Sequence, residues 1–286
     1  MIYFTKMHGL GNDYIYIERL DEKNIIPDDK IAEFTRFVSD RHFGIGGDGA
    51  IYIEPSEVAD FKMSIYNLDG SQAEMCGNGI RCFAKYVYDN GLTNKEVIDI
   101  ETLAGIKRAF LSIENKKVKE VRVCMGKPVF DMQELKKVNF IDNNLNNQIK
   151  IKAADKEFEV VPISMGNPHA IIFVNNVDTF DVEKYGSIME VDKAFPSRTN
   201  VEFVQIIDKQ NIKMRVWERG SGETFACGTG ACATAVACYL KGLTNQDATV
   251  HLKGGDLKIN WNKEDNKIYM IGSATKVFDG EIDYKF

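Results

Sequence analysis

Apolar residues along this chain recur mostly in short runs bounded by turn residues. The runs predict strands at 2–5, 14–18, 50–53, 61–66, 97–101, 106–113, 118–125, 149–153, 157–163, 169–175, 200–207, 212–217, 247–252, 256–261, 267–271 and 274–278. Helical spacing is rarer. It predicts one helix from Ile31 to near Asp40 and a short helix near 180–191. Many short strands and few helices favour curved sheets over a doubly wound parallel sheet.

Two longer apolar stretches predict helices of another kind. Residues 231–240 are apolar on every face, and residues 80–88 are only slightly less so. A helix that is hydrophobic all round must be buried on all sides. We therefore expect an α+β protein in which a sheet wraps around a central helix in each of two halves.

The two halves are marked by an internal repeat. The stretch Cys76-Gly77-Asn78-Gly79 recurs as Cys227-Gly228-Thr229-Gly230, and the tetrapeptide GLTN follows at 91–94 and at 242–245. The residues at 62–67 and 213–218 also correspond, and one constant shift of 151 residues relates all these pairs. The repeat predicts two pseudo-symmetric domains with one cysteine motif each, with boundaries at 1–125 plus 275–286 and at 126–274.

Composition agrees with two domains of ordinary type. A chain of 286 residues is longer than one hydrophobic core usually supports. A content of 44% hydrophobic and 27% charged residues is normal for a globular protein. A net charge of −6 and the lack of a basic cluster argue against a nucleic-acid or anionic-membrane surface. No signal peptide or apolar span is evident, so we expect a cytoplasmic protein whose six cysteines are free thiols.

The position of the two motif cysteines indicates their chemistry. Unpaired N–H groups at a helix start carry partial positive charge, and a thiol there can have its pKa lowered from about 8.5 to roughly 3.5–7.5. Neighbouring glycines leave the amides open to an anion. Two such thiols on opposite sides of a cleft between the domains suit a racemase, which removes a proton from one face of a carbon and delivers one to the other.

Other motifs are given structural interpretations. Gly44–Gly49 matches G-x-G-x-x-G, but a helix precedes it and a strand follows, so we interpret it as a turn rather than a nucleotide site. Residues 142–148 read as a polar loop. No cysteine pair has zinc spacing, so no metal site is expected. Buried roles are expected for four cysteines and structural or surface roles for three histidines: Cys82, Cys124, Cys232, Cys238, His8, His42 and His251.

The two cysteine motifs resemble the signature motifs of the diaminopimelate epimerase family. The resemblance covers nearly the whole chain and includes further segments at 8–13, 44–49, 166–169, 198–202 and 217–220. It implies a sheet barrel around a central helix in each domain, and epimerisation of LL- to meso-diaminopimelate in lysine and peptidoglycan synthesis. It also implies that neither PLP nor another cofactor takes part, and that the enzyme is a homodimer.

The resemblance assigns roles to individual residues. Cys76 is expected to be the proton donor and Cys227 the proton acceptor, with His169 and Glu218 tuning the thiols. The expected substrate-binding residues are Asn12, Asn67, Gly77, Asn78, Asn167, Asn200, Glu218, Arg219, Gly228 and Thr229. Arg219 suits a distal carboxylate through bidentate pairing, and Glu218 suits a distal ammonium.

Two departures from the family pattern and two alternatives accompany this assignment. Gly49 stands where some members carry a substrate-contacting glutamine, and Phe278 where some have a tyrosine at the dimer contact.

One alternative is a proline racemase, a hydroxyproline epimerase or another isomerase of the same fold; a cyclic imino acid, however, has no distal zwitterion for Glu218 and Arg219 to bind. The other is a thiol–disulfide redox protein that uses the same two cysteines.

Overall fold

The computed structural model describes residues 1–21, 24–131, 135 and 149–286, so the loop predicted at 142–148 lies outside the described residues. The chain divides into two compact units. The first comprises Met1–Val123 with Ile271–Phe286, and the second comprises Cys124–Met270.

Within the described residues, the first unit contains two helices and eight strands from the first part of the chain, together with one strand from its end. The helices are α1 (Ile31–Ser39), preceded by a 3₁₀ turn at Asp28–Lys30, and α2 (Gly77–Asp89). The strands run in the order β1 (Ile2–Gly9), β2 (Asn12–Glu18), β3 (Gly49–Glu54), β4 (Phe61–Asn67), β5 (Gln72–Ala73), β6 (Val97–Glu101), β7 (Lys107–Glu114) and β8 (Lys117–Gly126).

Strand pairing in the first unit gives a mixed sheet. β2 pairs with β3, and β4 with β6, in parallel, whereas β1–β2, β3–β4, β6–β7 and β7–β8 are antiparallel. Helix α2 packs against β1, β2, β3 and β7. Its residues Ile80, Phe83, Ala84 and Val87 are fully buried. The sheet therefore encloses the helix that begins after Cys76.

The second unit repeats this plan. Its helices are α3 (Val182–Glu190) and α4 (Gly228–Leu240). Its strands are β9 (Ile149–Ala153), β10 (Lys156–Ser164), β11 (Pro168–Phe173), β12 (Asn200–Ile206), β13 (Asn211–Glu218), β14 (Gly222–Glu223), β15 (Asp247–Leu252) and β16 (Gly255–Asn262). β17 (Lys267–Gly272) crosses into the first unit, where β18 (Thr275–Ile282) pairs antiparallel with β1.

Helix α4 is the centre of the second unit. It contacts β10, β11, β12, β13, β15 and β16. The ten residues Gly228 and Gly230–Cys238 are buried, which covers every face of the helix. This burial is the environment that an all-apolar helix requires. The predicted α+β fold, a curved mixed sheet around a central helix in each half, is confirmed.

The sequence repeat is also a structural repeat. Helices α2 and α4 are each 13 residues long and start 151 residues apart. The second residue after each helix is the glycine of the GLTN motif, Gly91 or Gly242, with φ of +75° and +67°. Both conformations are left-handed, which favours glycine at this position after a helix. The motif therefore marks the end of each central helix.

Two elements have no sequence signal. Strands β5 and β14 are only two residues long, and each pairs with the strand that precedes it just before a cysteine motif. Such short strands contain no periodicity to recognise. Of the helices within the described ranges, none is long and apolar enough to cross a membrane.

Candidate active site

The two motif cysteines are the N-cap residues of the two central helices. Cys76 and Cys227 both have extended backbone conformations, and each sulfur accepts a hydrogen bond from the amide three residues later. The Sγ–N distances are 3.3 Å to Gly79 and 3.4 Å to Gly230. The side chain thus replaces one missing partner of the helix start. The expectation that each thiol lies at a helix N-terminus is correct.

The fourth residue of each motif must be small. A Cβ atom at Gly79 would lie 2.7 Å from Cδ1 of Ile51, and one at Gly230 would lie 2.6 Å from Oε1 of Glu202. Neither glycine has a left-handed φ. The glycines therefore serve close packing at the helix start rather than an unusual backbone conformation.

In the first unit, Asn12 joins the thiol to a charged network. The thiol of Cys76 donates to Asn12 Oδ1 at 3.2 Å, and Asn78 Nδ2 donates to the same oxygen at 3.4 Å. Asn12 Nδ2 in turn donates to Asp48 at 2.7 Å. Because Asp48 takes the amide's donor, Asn12 presents an acceptor to the sulfur. That acceptor favours the protonated thiol.

Charged residues anchor this part of the first unit. Arg41 pairs with Asp13 at 2.7 Å and with Asp48 at 2.9 Å, and Lys6 pairs with Asp13 at 2.6 Å. The two cations offset burial and hold the pKa of Asp13 below its usual value. Asp48 is thus kept in place beside Asn12.

Two residues near Cys76 have no place in the sequence-based assignment. Tyr14 is a buried neighbour of Cys76 and Asn12, and burial, then the charge of Cys76, raises the pKa of its hydroxyl far above the usual value. Arg81 is fully buried, and its guanidinium donates to Gly77 O at 3.1 Å and to Asn78 Oδ1 at 2.9 Å. A charged residue between the apolar Ile80 and Cys82 was the available signal for Arg81.

Asn67, the remaining candidate of the first unit, ends β4 opposite Gly49. Its Nδ2 donates to Ser71 Oγ at 3.1 Å. A Cβ atom at Gly49 would lie 2.1 Å from the carbonyl oxygen of Tyr66, so no side chain fits there without a backbone shift. The structure thus gives a packing reason for glycine at this departure from the family pattern.

In the second unit, Cys227 lies beside a carboxylate. Glu218 lies beside Cys227, and its carboxylate accepts a hydrogen bond from the hydroxyl of Thr224. Burial, then the charges of Glu218 and Glu202, raise the pKa of Cys227 well above its usual value. Burial likewise raises the pKa of Glu218. The expected lowering by the helix N-terminus is wrong for Cys227, because burial and two carboxylates outweigh the donated amide hydrogen bond.

A second polar group extends from the same helix start. Thr229 Oγ1 lies 3.6 Å from the Cys227 sulfur and accepts from Asn167 Nδ2 at 3.2 Å. Asn167 Oδ1 lies 3.0 Å from Nε2 of His169. His169 Nδ1 lies 2.7 Å from Oε1 of Glu202, and both side chains are fully buried. The sequence analysis missed Glu202, although a charged residue in the apolar run of β12 was a usable signal.

Asn200, the first residue of β12, contacts Arg219 in the turn after β13. Asn200 Oδ1 accepts from the Arg219 amide at 2.9 Å, and its Nδ2 donates to the Pro168 carbonyl at 3.0 Å. The Arg219 side chain is exposed, and its guanidinium donates to Ser197 O at 3.0 Å. The exposed guanidinium is a suitable group for a ligand carboxylate.

The buried carboxylate of Glu190 holds the neighbouring turns in place through hydrogen bonds and an ion pair. It accepts from Trp217 Nε1 at 2.8 Å and from the Gly220 amide at 2.6 Å, and it pairs with Arg198 at 2.5 Å. Arg198 has φ of +60°, a conformation that costs free energy for a non-glycine residue. Glu190 is a second supporting residue that the sequence analysis missed.

The remaining cysteines and histidines have the expected structural roles with one exception. Cys124 was expected to be buried but is only half-buried, because it lies on the face of β8 opposite the buried Val123 and Met125. All six cysteines are free. Burial raises the pKa of Cys82 to about 11 and that of Cys238 to about 12, so both are unreactive thiols. His251 contacts Asp256 and Asn211, His8 accepts from the Gly11 amide, and His42 is exposed. The glycine-rich segment at 44–48 forms the turn before β3.

Comparison with known sequences gives a consistent result. The family model described as diaminopimelate epimerase matches residues 4–131 and 161–277. A diaminopimelate epimerase of Methanococcus maripaludis is 55% identical over 280 residues, which cover 98% of this chain and 99% of that protein. Another, of Acetivibrio thermocellus, is 54% identical and covers 98% of each chain.

Solved structures with the same fold are more distant in sequence. A phenazine biosynthesis protein of the PhzF family from Bacillus anthracis has a TM-score of 0.70 and 18% identity, covering 99% of each chain. A hydroxyproline epimerase from Agrobacterium vitis has a TM-score of 0.67 and 14% identity, covering 98% of this chain and 90% of that one. These similarities concern the fold alone.

Proposed function

Since the chain belongs to the diaminopimelate epimerase family, we propose that it interconverts LL- and meso-diaminopimelate by two-base proton transfer, in lysine and peptidoglycan biosynthesis. The observation that carries the mechanism is the pair of N-cap thiols at the starts of two equivalent central helices. One thiolate removes the α-proton, and the other thiol delivers a proton to the opposite face of the carbon.

Cys76 is proposed as the proton donor and Cys227 as the proton acceptor for the LL substrate. Asn12 presents an acceptor oxygen to Cys76, which favours its protonated form. Cys227 instead lies beside Glu218, a carboxylate that can take the thiol proton. The raised pKa of Cys227 makes its thiolate a stronger base once it is formed. The two environments thus differ in that Cys227 has a carboxylate beside it to take its proton, whereas Cys76 has an amide oxygen.

The helix N-termini supply the electrostatic part of the mechanism. Loss of the α-proton places enolate-like charge on the neighbouring carboxylate. The amides of Gly77, Asn78, Gly228 and Thr229 precede the first intrahelical bonds, which Ile80 and Ala231 donate. Amides at a helix start stabilise such a developing charge without reorganisation. These four residues therefore bind the carboxylate of the reacting centre.

The distal amino-acid group sets the substrate. Arg219 has an exposed guanidinium that can pair with the distal carboxylate. Asn12, Asn67, Asn167 and Asn200 supply further donors and acceptors, and Glu218 supplies a negative charge for the distal ammonium. His169 and Glu218 also tune the thiols. A proline-type substrate has no distal group for Arg219, which favours diaminopimelate over the cyclic imino acids.

Isotope exchange tests the two-base mechanism. In deuterated water, first-turnover product should carry solvent deuterium at the inverted centre, because a different thiol delivers the proton. Recovered substrate should stay largely protiated at early times. Cys76→Ala and Cys227→Ala should each abolish inversion. Retention of substrate hydrogen in first-turnover product, or epimerisation by either variant, would contradict the mechanism.

Substrate choice is tested with the same protein. We expect turnover of LL-diaminopimelate without added PLP and no racemisation of proline or hydroxyproline. A thiol–disulfide redox protein would instead reduce a generic disulfide substrate. Turnover of proline without turnover of diaminopimelate would overturn the assignment of the substrate.

A homodimer is the proposed assembly. Tyr3 on β1 and Val277 and Phe278 on β18 expose 51%, 54% and 44% of their surface on paired strands. Exposed apolar groups on adjoining strands suit contact with a second copy. Phe278→Glu should give monomers in analytical ultracentrifugation, whereas Val58→Glu, an equally simple change at an exposed loop, should not. Monomeric wild-type protein at micromolar concentration would overturn this proposal. A cytoplasmic location stays a prediction from the sequence.

A further inference from the structure

A continuous line of polar contacts runs through the second unit from a buried carboxylate to the Cys227 sulfur. Glu202 Oε1 lies 2.7 Å from His169 Nδ1, and His169 Nε2 lies 3.0 Å from Asn167 Oδ1. Asn167 Nδ2 donates to Thr229 Oγ1 at 3.2 Å, and that oxygen lies 3.6 Å from Cys227 Sγ. We call these five residues the Glu202 chain.

The donors of the Glu202 chain all point the same way. His169 lies between two acceptor oxygens, so Nε2–H donates to Asn167 Oδ1 while one proton is shared between Nδ1 and Glu202. The amide of Asn167 then turns its N–H to Thr229. Thr229 Oγ1 accepts that bond and keeps its own hydrogen, which it can donate to Sγ once Cys227 is a thiolate and has no hydrogen of its own. The chain therefore ends in a donor to the Cys227 thiolate.

The first unit shows that the fold does not require Glu202. In parallel strands β2 and β3, Tyr14 pairs with Gly49 and Tyr16 with Ile51, whereas in β11 and β12 His169 pairs with Asn200 and Ile171 with Glu202. The 151-residue shift relates Ile51 to Glu202. Both side chains also meet the fourth glycine of their motif, at 2.7 Å and 2.6 Å from a Cβ placed there. An apolar residue fills this position in one unit, and a carboxylate fills it in the other.

A buried carboxylate at this position is costly. Glu202 is fully buried, and its Oε2 has no hydrogen-bond partner of normal geometry in the part of the chain that the structure describes. Replacing a buried ionic group by an apolar one of similar volume is often neutral or stabilising. Because an apolar side chain fits at the equivalent position, the buried carboxylate of Glu202 indicates a role other than stabilising the fold.

We propose that Glu202 is a positioning residue that acts through His169, Asn167 and Thr229 to supply a hydrogen bond to the thiolate of Cys227. The role rests on the proposed function, in which Cys227 is the base. In the part of the chain that the structure describes, the charged groups that act on Cys227 are Glu218 on β13 and Glu202 on β12, and His169 on β11 contacts Glu202. The charge of Glu202 by itself raises the pKa of the Cys227 thiol. Because the proton shared with His169 offsets most of that charge, we expect the hydrogen bond through Thr229 to be the larger effect on the sulfur.

Ring-nitrogen NMR of isotope-labelled histidine tests the first link. In the wild type, His169 should show a single tautomer with a hydrogen on Nε2 and a strong hydrogen bond at Nδ1. Glu202→Leu should lose the Nδ1 hydrogen bond and populate both tautomers, whereas Glu202→Gln can donate an amide N–H to Nδ1 and should keep the Nε2–H tautomer without the shared proton. Glu190→Gln, which changes another buried carboxylate of the same unit, should leave the His169 signals unchanged. Unchanged signals in Glu202→Leu would overturn the proposal.

Alkylation of Cys227, followed against pH by mass spectrometry of its peptide, tests the last link. Thr229→Val and Glu202→Leu should both move the midpoint of the pH profile upward by about one unit, because the thiolate loses a donor. Thr229→Ser keeps the hydroxyl and should retain the wild-type midpoint. A downward shift in Glu202→Leu would mean that the carboxylate acts on Cys227 only through its charge, and would overturn the proposal.

Activity measurements complete the test. Glu202→Leu should fold with wild-type cooperativity and lose about 10- to 100-fold in kcat with little change in KM, as for other partners that orient a histidine. The NMR and alkylation experiments need no turnover, so they assess Glu202 even if diaminopimelate is not the substrate. Loss of the deuterium pattern with an intact Glu202 chain would overturn only the proposed function.

Discussion

Replacing Gly230 by alanine is a sharp test of how closely the second cysteine motif is packed. The new methyl group would lie 2.6 Å from Oε1 of Glu202 and 3.2 Å from Sγ of Cys227. Ordinary contacts begin at about 3.4 Å, so the new methyl group and Oε1 of Glu202 must move apart by about 0.8 Å. Glu202 is fully buried and held by His169 at 2.7 Å, so the helix start and its thiol must move instead.

The expected effects on stability and on activity differ in size. Overpacking costs about 1–3 kcal/mol, but alanine is favoured over glycine inside a helix by about 1 kcal/mol. Unfolding free energy should therefore fall by only about 0–2 kcal/mol. Displacement of a reacting group by nearly 1 Å costs about 100-fold in rate, so kcat should fall by that factor.

The matched control is Gly79→Ala in the first motif. Its methyl group would meet the Cδ1 end of the Ile51 side chain at 2.7 Å and the Cys76 sulfur at an ordinary 3.5 Å. Ile51 can turn its end group, so the loss of kcat should stay under about tenfold. Both variants are assayed by initial rates of epimerisation and by thermal unfolding. A Gly230→Ala enzyme within about tenfold of the wild-type kcat would refute the packing argument.

Three further predictions concern buried charges. Burial raises the pKa of Glu218 above 4.5, so its carboxyl group favours the folded state below that pH and loses this contribution as pH rises through the raised pKa. Glu218→Gln should therefore raise Tm relative to the wild type at pH 8 but not at pH 4. An equal difference in Tm at both pH values would contradict this. Arg81→Met leaves the acceptors at Ser273, Gly77 and Asn78 without their donor and should cost at least about 2 kcal/mol in urea unfolding, whereas a neutral change would show that these bonds contribute nothing. Glu190→Ala removes the carboxylate that contacts Trp217, Gly220 and Arg198. The turn that contains Arg219 then loses its support, so KM should rise more than kcat falls. A fall in kcat alone would argue against that role of Glu190.

The local elements could be predicted well from the sequence. Strand and helix periodicities and the 151-residue repeat depend on neighbours in the chain, and they located most strands, the central helices and their N-cap cysteines. The two-residue strands β5 and β14 were not predicted, because they form only by pairing with a neighbouring strand and have no periodicity of their own. The repeat also pointed to the family before any coordinate was known.

The sequence by itself determined which residues start the two central helices and that the protein has two equivalent halves. The tertiary structure decided what surrounds each thiol. Asn12 reaches Cys76 across 64 residues of chain, and Glu202 reaches His169 across 33, through strand register that no local pattern encodes. For the same reason the thiol pKa could not be inferred from the helix start alone. The amide at Gly230 is a local effect, whereas burial and the carboxylates of Glu218 and Glu202, which raise the pKa of Cys227, exist only once the sheet has closed around the helix.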